Sequence, residues 1–252
     1  MSDITTFSRE KITNGLMQAW ENGIEPNDHI RILFAPNTVN DSNFEEVCNL
    51  YSRIDPANYE TAVVVEVHKE VLPKKLPMAS NHFFETPLGK VRVNDYLRNE
   101  FCDEDDDFFI YDDAFSNDMS LFSQLMLLQG VFDDNIDALS VQIADENHYI
   151  IKELAHVLEE VLASRSALLI FCCDLAGDRE EEFNKVKKML DDKSHSKLLN
   201  YLNSGESHIT GTAAFIAGII VAHRWGMRLN FLDENSAQSL ITAYADRERV
   251  LY

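Results

Sequence analysis

The chain has 252 residues, of which 45% are hydrophobic and 26% are charged, and its formal net charge at pH 7 is −21. This length and composition suit one large globular domain with a substantial core, so we predict a single domain over residues 1–252. Nucleic-acid binding requires basic patches, and anionic membrane surfaces attract basic segments. The acidic balance therefore predicts that neither nucleic acid nor a membrane is a partner.

The N-terminal residues and the cysteines predict a cytoplasmic location. Met1–Glu10 has neither the basic region nor the apolar region of a secretory signal. The most apolar helical segment, Ile209–Ala222, is shorter than the about 20 residues that span a bilayer. Cys172 and Cys173 are neighbours on a predicted strand and point to opposite faces, so they are poorly placed to form a disulfide. A reduced, cytoplasmic protein is expected.

Hydrophobic periodicity gives the predicted elements in chain order. Helices are predicted over Phe7–Glu21, Asn43–Ser52, Asn117–Gly130, Asn147–Ala163, Asp178–Leu190, Lys197–Asn203 and Thr210–Trp225. Strands are predicted over Arg31–Pro36, Thr61–Val67, Ala138–Ile143, Ala167–Cys173 and Met227–Leu232, with Leu240–Ala245 as an edge strand. Strands that alternate with helices indicate an α/β fold with a mixed, mostly parallel sheet.

Polar residues follow two of the predicted strands at their carboxyl ends. The apolar run from Ala167 ends on Asp174, and His68 and Glu70 follow the strand Thr61–Val67. Open α/β sheets usually place ligands and chemistry at this edge. His208 precedes the late helix and is placed to face the same cleft. A hydrogen-bonded loop histidine is the commoner reading for His68, because histidine has many roles besides metal binding.

Motifs for common catalytic and cofactor sites are absent from the sequence. It has no G-x-S-x-G elbow, no G-x-G-x-x-G or P-loop glycine pattern, and no H-E-x-x-H pair. The acidic run Asp103–Asp107, with Asp112 and Asp113 nearby, lacks the glycine of a calcium loop and is predicted to be a solvated loop. Glu85–Val93 is predicted to have a structural role, as a loop that leads into a strand or a helix.

Several segments in the right order resemble the Memo family, known in prokaryotes as AmmeMemoRadiSam system protein B. The most specific is Glu85–Asp95, which looks like the family's Thr-Pro-Leu-Gly signature followed by valine and aspartate. Arg31–Asn37 is similar to the strand that leads into the family's Ala-Pro-His-Ala-Gly, and Ala167–Asp174 to the strand that ends in Ser-Ser-Asp. The resemblance implies a central mixed sheet flanked by helices, as in the catalytic subunit of class III extradiol dioxygenases. It also implies a cleft where family members assemble histidines, an aspartate and, in some, a cysteine around a metal site.

This chain departs from the family pattern at most of the positions that form that site. Four positions that hold histidine or cysteine in the family hold other residues here: Asn37, Glu70, Gly177 and Thr210. The family's Glu-His-Ser motif falls near Asn117-Asp118-Met119, and the aspartate is retained as Asp174. A transition metal needs three or four soft or borderline ligands, so neither a metal nor another cofactor is expected. Any ion that binds is expected to be a weakly held divalent cation on Asp174, Glu70 and His68.

Three functions remain open, and the first is favoured. It is a non-catalytic binding or scaffold protein that retains the Memo-like fold and binds a protein partner or a small molecule. Its cleft is expected to hold Asn37, His68, Glu70, Asp174, His208 and Thr210. The alternative is a divergent metal-dependent enzyme, redox or hydrolytic, that uses Asp174, Glu70, His68 and His208. The third is an acidic module in which Asp103–Asp113 docks a basic protein.

Overall fold

A computed structural model describes residues 3–116, 119–175, 179–192, 194–232 and 243–247. Its α-helices are α1 (Arg9–Glu21), α2 (Phe44–Tyr51), α3 (Asp95–Glu104), α4 (Ser120–Phe132), α5 (His148–Leu162), α6 (Arg179–Asp191), α7 (His195–Leu202) and α8 (Thr212–Arg224). Its strands are β1 (Ile30–Ala35), β2 (Thr61–Val67), β3 (Leu76–Met78), β4 (Phe83–Thr86), β5 (Gly89–Arg92), β6 (Phe108–Ile110), β7 (Asp137–Ile143), β8 (Ala167–Cys172), β9 (Asp174–Leu175), β10 (Ile209–Thr210), β11 (Met227–Phe231) and β12 (Ala243–Arg247). Single 3₁₀ turns occur at Ile4–Thr6, Pro56–Asn58 and Asp112–Ala114.

The main sheet of the described residues has six strands in the order β11-β12-β1-β8-β2-β7. The ladders β1–β8, β8–β2 and β2–β7 are parallel, and β12 runs antiparallel to both of its neighbours. The predicted α/β fold with a mixed, mostly parallel sheet is therefore confirmed. Strands β2 and β8 are buried at nearly every position. Because successive side chains of a strand point to opposite faces, burial at consecutive positions requires both faces of the sheet to be covered.

Two groups of helices provide that cover. Helix α4 packs on β2 and is backed by α1 and α2. Helix α8 packs on β1, β2 and β8, and α5 packs against α8 and α3. The apolar stripe of α5 explains its position, since Ile151, Leu154 and Leu158 recur at helical spacing and are buried. The central sheet flanked by helices agrees with the fold that the resemblance implies.

The prediction that Leu240–Ala245 forms an edge strand is wrong about the position in the sheet, because β12 lies between β1 and β11. Residues 240–242 of that prediction lie outside the described residues. Ala243 pairs with both Phe34 and Phe231, and both Ala243 and Ala245 are fully buried. The small alanines alternate with Tyr244 and polar residues. This composition is typical of an exposed edge strand, although β12 has a strand paired to it on each side. The outer place is taken by β11, which is only partly buried.

Short paired strands surround the main sheet. β4 and β5 form an antiparallel hairpin, and β3 pairs in parallel with β6. The hairpin covers most of the predicted structural segment Glu85–Val93, and α3 follows it. Of the acidic run, Asp103 and Glu104 form the end of α3 and not a loop. The described residues contain no helix that is both long and apolar enough to cross a membrane. The assignment of residues 1–252 to one domain stays a prediction.

Candidate functional site

The carboxyl ends of the parallel strands bring together the polar groups of the candidate site. Asn37 lies two residues beyond β1, Glu66 is the penultimate residue of β2, Gln142 is the penultimate residue of β7, and Asp174 lies two residues beyond β8. Helix α4 begins at the same edge with Ser120. This arrangement follows from the sheet order, because β1, β8, β2 and β7 run in one direction and end side by side.

Glu66 is the most buried carboxylate at this edge, with only 4% of its surface exposed. Its Oε2 accepts a hydrogen bond from the backbone N–H of Ser120 at 2.8 Å, and its Oε1 accepts from the N–H of Leu121 at 3.2 Å. Gln142 Nε2 donates to Oε1 at 2.9 Å. The residue before α4, Met119, gives no side-chain cap, so Glu66 satisfies the first N–H groups of the helix from the neighbouring strand.

Burial controls the ionisation of Glu66. It raises the pKa of this carboxyl above its ordinary value, and the hydrogen bonds from Gln142, Ser120 and Leu121 act in the opposite direction. The positive end of the α4 dipole also favours the charged form. Burial is the larger effect, so the pKa stays raised, while both oxygens of Glu66 accept hydrogen bonds from these donors.

A second set of buried polar contacts joins the end of β1 to α2 and α4. The Tyr51 hydroxyl donates to Gln124 Oε1 at 2.6 Å, and Gln124 Nε2 donates to the carbonyl oxygen of Pro36 at 2.8 Å. Ser120 Oγ donates to Asn37 Oδ1 at 3.3 Å. Gln124 and Tyr51 are fully buried and Asn37 is half-buried. The polar groups below this edge are therefore amides and hydroxyls that bond to one another and to the backbone.

Asp174 and Thr210 lie opposite each other on the short strands β9 and β10. Thr210 Oγ1 donates to the carbonyl oxygen of Asp174 at 3.2 Å. Asp174 is half-buried, and its Oδ1 is inaccessible to solvent. The next residue, Gly211, has a φ of +75°, and a Cβ at this position would lie 2.5 Å from the carbonyl oxygen of Cys172. Only glycine fits this passage from β10 into α8.

The two predicted ligands that follow β2 lie in a tight turn. His68 Nδ1 is 2.8 Å from the carbonyl oxygen of Glu70 and 3.0 Å from its N–H. The His68 N–H donates to the carbonyl oxygen of Ile143, which extends the β2–β7 ladder by one step. His68 is half-buried and Glu70 is exposed. The turn therefore engages the histidine ring with the backbone of Glu70.

His208 lies at the start of the segment that leads to β10. Its side chain is exposed, and its backbone N–H donates to Glu182 Oε1 at 3.3 Å. Asn117, Asp118 and Gly177, where the family pattern has other site residues, lie outside the described residues. Among the predicted cleft residues, the described contacts thus join Asp174 to Thr210 and His68 to Glu70.

The two adjacent cysteines are buried beneath this edge. No disulfide joins Cys172 and Cys173, and both side chains are fully buried. Burial raises the pKa of each thiol well above its ordinary value, and the charges of Glu66 and Asp174 raise that of Cys172 further. Only the thiolate is an effective metal ligand or nucleophile, so both cysteines are held in their inert form.

The donor groups of the described residues do not fit the transition-metal site that the family resemblance implies. The described residues contain no group of three or more His, Cys, Asp or Glu side chains arranged to share a metal ion. Glu66 directs both oxygens at N–H donors, and the thiols are protonated. Asn37 offers an amide, which is a weak ligand for zinc, copper or iron.

Glu66 is the residue that sequence reasoning missed. The family pattern points to Glu70, which lies four residues further along the chain in an exposed turn. The signal for Glu66 was present in the sequence, because it is the single charged residue in the apolar strand TAVVVEV. A carboxylate inside a strand of a buried parallel sheet requires hydrogen-bond partners.

Comparison with known proteins agrees with the fold and the resemblance. The Memo-like protein family matches residues 8–246 of the chain. A MEMO1 family protein of Nitrosopumilus maritimus (strain SCM1) is 23% identical over 162 residues, which are 64% of this chain and 59% of that protein. The chain thus spans less than two thirds of this relative. The family match covers nearly all of the described sheet and both helix layers, and the chain belongs to the Memo-like protein family.

Proposed function

We propose that this protein is a non-catalytic binding or scaffold protein that keeps the Memo-like fold without its metal centre. It acts in the cytoplasm, and its partner is a protein or a small molecule. The observation that carries the proposal is the use of Glu66. Both oxygens of this carboxylate accept hydrogen bonds, from Ser120 N–H, Leu121 N–H and Gln142 Nε2. Glu66 thereby anchors the start of α4.

The chemistry of the remaining groups supports the same conclusion. Asn37 accepts from Ser120, Gln124 is bonded on both sides, and the Cys172 thiol has a raised pKa. Amides and hydroxyls that are already paired supply neither a Lewis acid nor a base, so these groups favour a protein without turnover.

Metal analysis tests this proposal. Protein purified without a histidine tag or a chelator is analysed for iron, copper, zinc and manganese by inductively coupled plasma mass spectrometry. The analysis is repeated after incubation with each ion and gel filtration. We expect metal contents well below one ion per chain, equal in the wild type and in Asp174→Asn. The matched control is Asp103→Asn, because Asp103 is an exposed carboxylate at the end of α3.

One observation favours the alternative, a divergent metal-dependent enzyme. The charges of Glu66 and Asp174 both raise the pKa of Cys172, so each carboxylate lies within electrostatic range of this thiol at the same edge of the sheet. Two carboxylates with amide oxygens suit a hard, weakly held divalent cation. Titration with Mg²⁺ and Mn²⁺ by calorimetry separates the two functions. Stoichiometric binding that is lost in Asp174→Asn and retained in Asp103→Asn would establish the metal site and overturn the first proposal.

A further inference from the structure

Strand β6 (Phe108–Ile110) has an unpaired edge among the residues that the structure describes. Within the described residues it pairs with β3 on one side, in parallel register. The Leu76 N–H donates to the carbonyl oxygen of Asp107, and the Tyr111 N–H donates to the carbonyl oxygen of Met78. Backbone groups of a strand alternate in direction, so the N–H and the carbonyl of Ile110 point away from β3. An added strand could bond to them.

The side chains of β6 combine a buried anchor with an apolar surface. Phe108 is 2% exposed and packs edge-on against Phe101, with the ring centroids 5.3 Å apart. Phe109 is 38% exposed and Ile110 is 46% exposed. Lys74 Nζ lies 3.5 Å from the centroid of the Phe109 ring, so this ring already receives a basic side chain of the same chain.

Carboxylates flank the strand at both ends. Residues 103–113 read DEDDDFFIYDD and contain seven acidic and no basic side chains. Asp107 is paired with Lys75 Nζ at 2.7 Å, and Asp112 accepts from the N–H and the hydroxyl of Ser80. Four of the others are exposed: Asp103, Glu104, Asp106 and Asp113. The open apolar strand thus lies between two negatively charged flanks.

We propose that β6 is a docking edge for an extended segment of a basic protein, which adds to it as a strand. The segment pairs its backbone with Ile110, covers Phe109 and Ile110 with apolar side chains, and directs lysine or arginine to the carboxylates on either side. Addition of a strand to an open edge is a recurring mode of peptide recognition. The proposal deepens the proposed binding function by naming a surface and a partner class. Metal retention at Asp174 would overturn that function without affecting this edge.

Charge decides against a second copy of the chain as the occupant. Two β6 edges that paired would bring acidic flanks together, and like charges that face each other oppose association. The same charges protect the edge from self-aggregation in the free protein. A pairing region of three residues predicts a weak, transient interaction that depends on salt.

Fluorescence anisotropy with two labelled synthetic peptides tests the docking edge. The first is a nine-residue peptide of alternating lysine and valine, and the second replaces each valine by proline, which keeps the charge and prevents strand pairing. We expect the lysine–valine peptide to bind at least about tenfold more tightly than the proline peptide, and its affinity to fall as salt is raised. Equal binding of the two peptides would reduce the contact to charge alone and overturn the proposal.

Two sets of variants locate the contact. Ile110→Pro removes the outward N–H while the N–H groups that bond to β3 remain, and we expect it to weaken binding at least about tenfold. The triple variant Asp103→Asn/Asp106→Asn/Asp113→Asn keeps the backbone and removes charge from both flanks. We expect it to weaken peptide binding as well. The control is Glu21→Gln/Glu25→Gln/Glu45→Gln, which removes three exposed charges in and beside α1 and α2. Unchanged binding in the three-aspartate variant, or a wild-type dimer that Ile110→Pro dissociates, would overturn the proposal.

Discussion

Glu66 and Glu182 are both buried carboxylates that accept three hydrogen bonds, but their donors belong to different parts of the fold. Glu66 accepts from the first turn of α4 and from Gln142 on β7, inside the main sheet. Glu182, on α6, accepts from the hydroxyls of Tyr201 and Ser207 and from the N–H of His208. The first joins a core helix to a core strand, and the second joins a peripheral helix to the segment before β10.

The surroundings of the donors decide how much structure depends on each carboxylate. Loss of the Glu66 carboxylate leaves two buried backbone N–H groups at the start of α4 without this acceptor. Loss of the Glu182 carboxylate frees groups that include the half-buried Ser207 and the N–H of the exposed His208, which water can rebond. An unsatisfied donor costs most where solvent cannot replace its partner.

Glu66→Ala is expected to have the largest effect. It removes the acceptor of three buried donors and leaves a cavity, and we expect the free energy of unfolding to fall by about 3 to 4 kcal/mol. Urea denaturation followed by circular dichroism measures this. The matched control is Glu70→Ala, which removes an exposed carboxylate four residues away and is expected to change stability by less than about 0.5 kcal/mol. Equal effects of the two substitutions would show that Glu66 does not anchor α4.

Gly211→Ala is expected to have the next largest effect on stability. Gly211 lies just before α8, at the end of the segment that Glu182 holds through Ser207 and His208. Gly211 and Gly205 have nearly the same positive φ, +75° and +76°. The Cβ of alanine at 211 would meet the carbonyl oxygen of Cys172 at 2.5 Å, whereas nothing lies within 4 Å at 205. We expect a loss of about 2 to 3 kcal/mol at 211 and about 1 kcal/mol at 205, measured as shifts of the denaturation midpoint. A larger loss at 205 would contradict the close approach at 211.

Glu182→Ala is expected to destabilise the protein less than Glu66→Ala does, by about 1 to 2 kcal/mol. The physical reason is that water can replace the lost carboxylate as the acceptor for the Ser207 hydroxyl and the His208 N–H. The control is Glu181→Ala on the same helix, because Glu181 is exposed while Glu182 is 5% exposed. Hydrogen exchange should show the loss as faster exchange in residues 207–210. If the sheet around Glu66 exchanged faster instead, the two carboxylates would belong to one cooperative unit.

The long elements of the fold were predictable from the sequence because they carry a clear period. Strand β2 is Thr61–Val67, as predicted, and α5 differs from its prediction by one residue at each end. Strands β3, β6, β9 and β10 have two or three residues, which is too short for a period to appear. The place of β12 could not be predicted either, because it pairs with β1 across 209 to 216 positions of the chain.

The candidate site was predictable only in part. The edge itself follows from the order of strands and helices, and Asp174 was found because it ends an apolar run. The contact between Glu66 and Ser120 joins residues 54 positions apart, and no local pattern records it. The motif positions directed attention to Glu70, whereas burial and hydrogen bonding select Glu66. A lone charge in an apolar strand was the better signal, because its burial demands a partner.

The pH dependence of stability offers the finest test of the comparison. Since burial raises the pKa of Glu66 in the folded protein above its unfolded value, the folded state binds the proton more tightly than the unfolded chain. The stabilisation from this proton is fully present below the unfolded pKa and is lost as pH rises through the folded pKa. Glu66→Gln cannot titrate, so the stability of the wild type relative to Glu66→Gln should fall as pH is raised from 4 to 8.

Parallel urea titrations of the two proteins at each pH measure this difference, and the many other carboxylates, common to both, cancel from it. Glu181→Gln is the control, because it replaces an exposed carboxylate on α6 with the same loss of charge. A wild-type advantage over Glu66→Gln that grew with pH would show that the α4 N–H groups and Gln142 outweigh burial. Glu66 would then be a stabilising charge at neutral pH, and its anchoring of α4 would be stronger than its desolvation predicts.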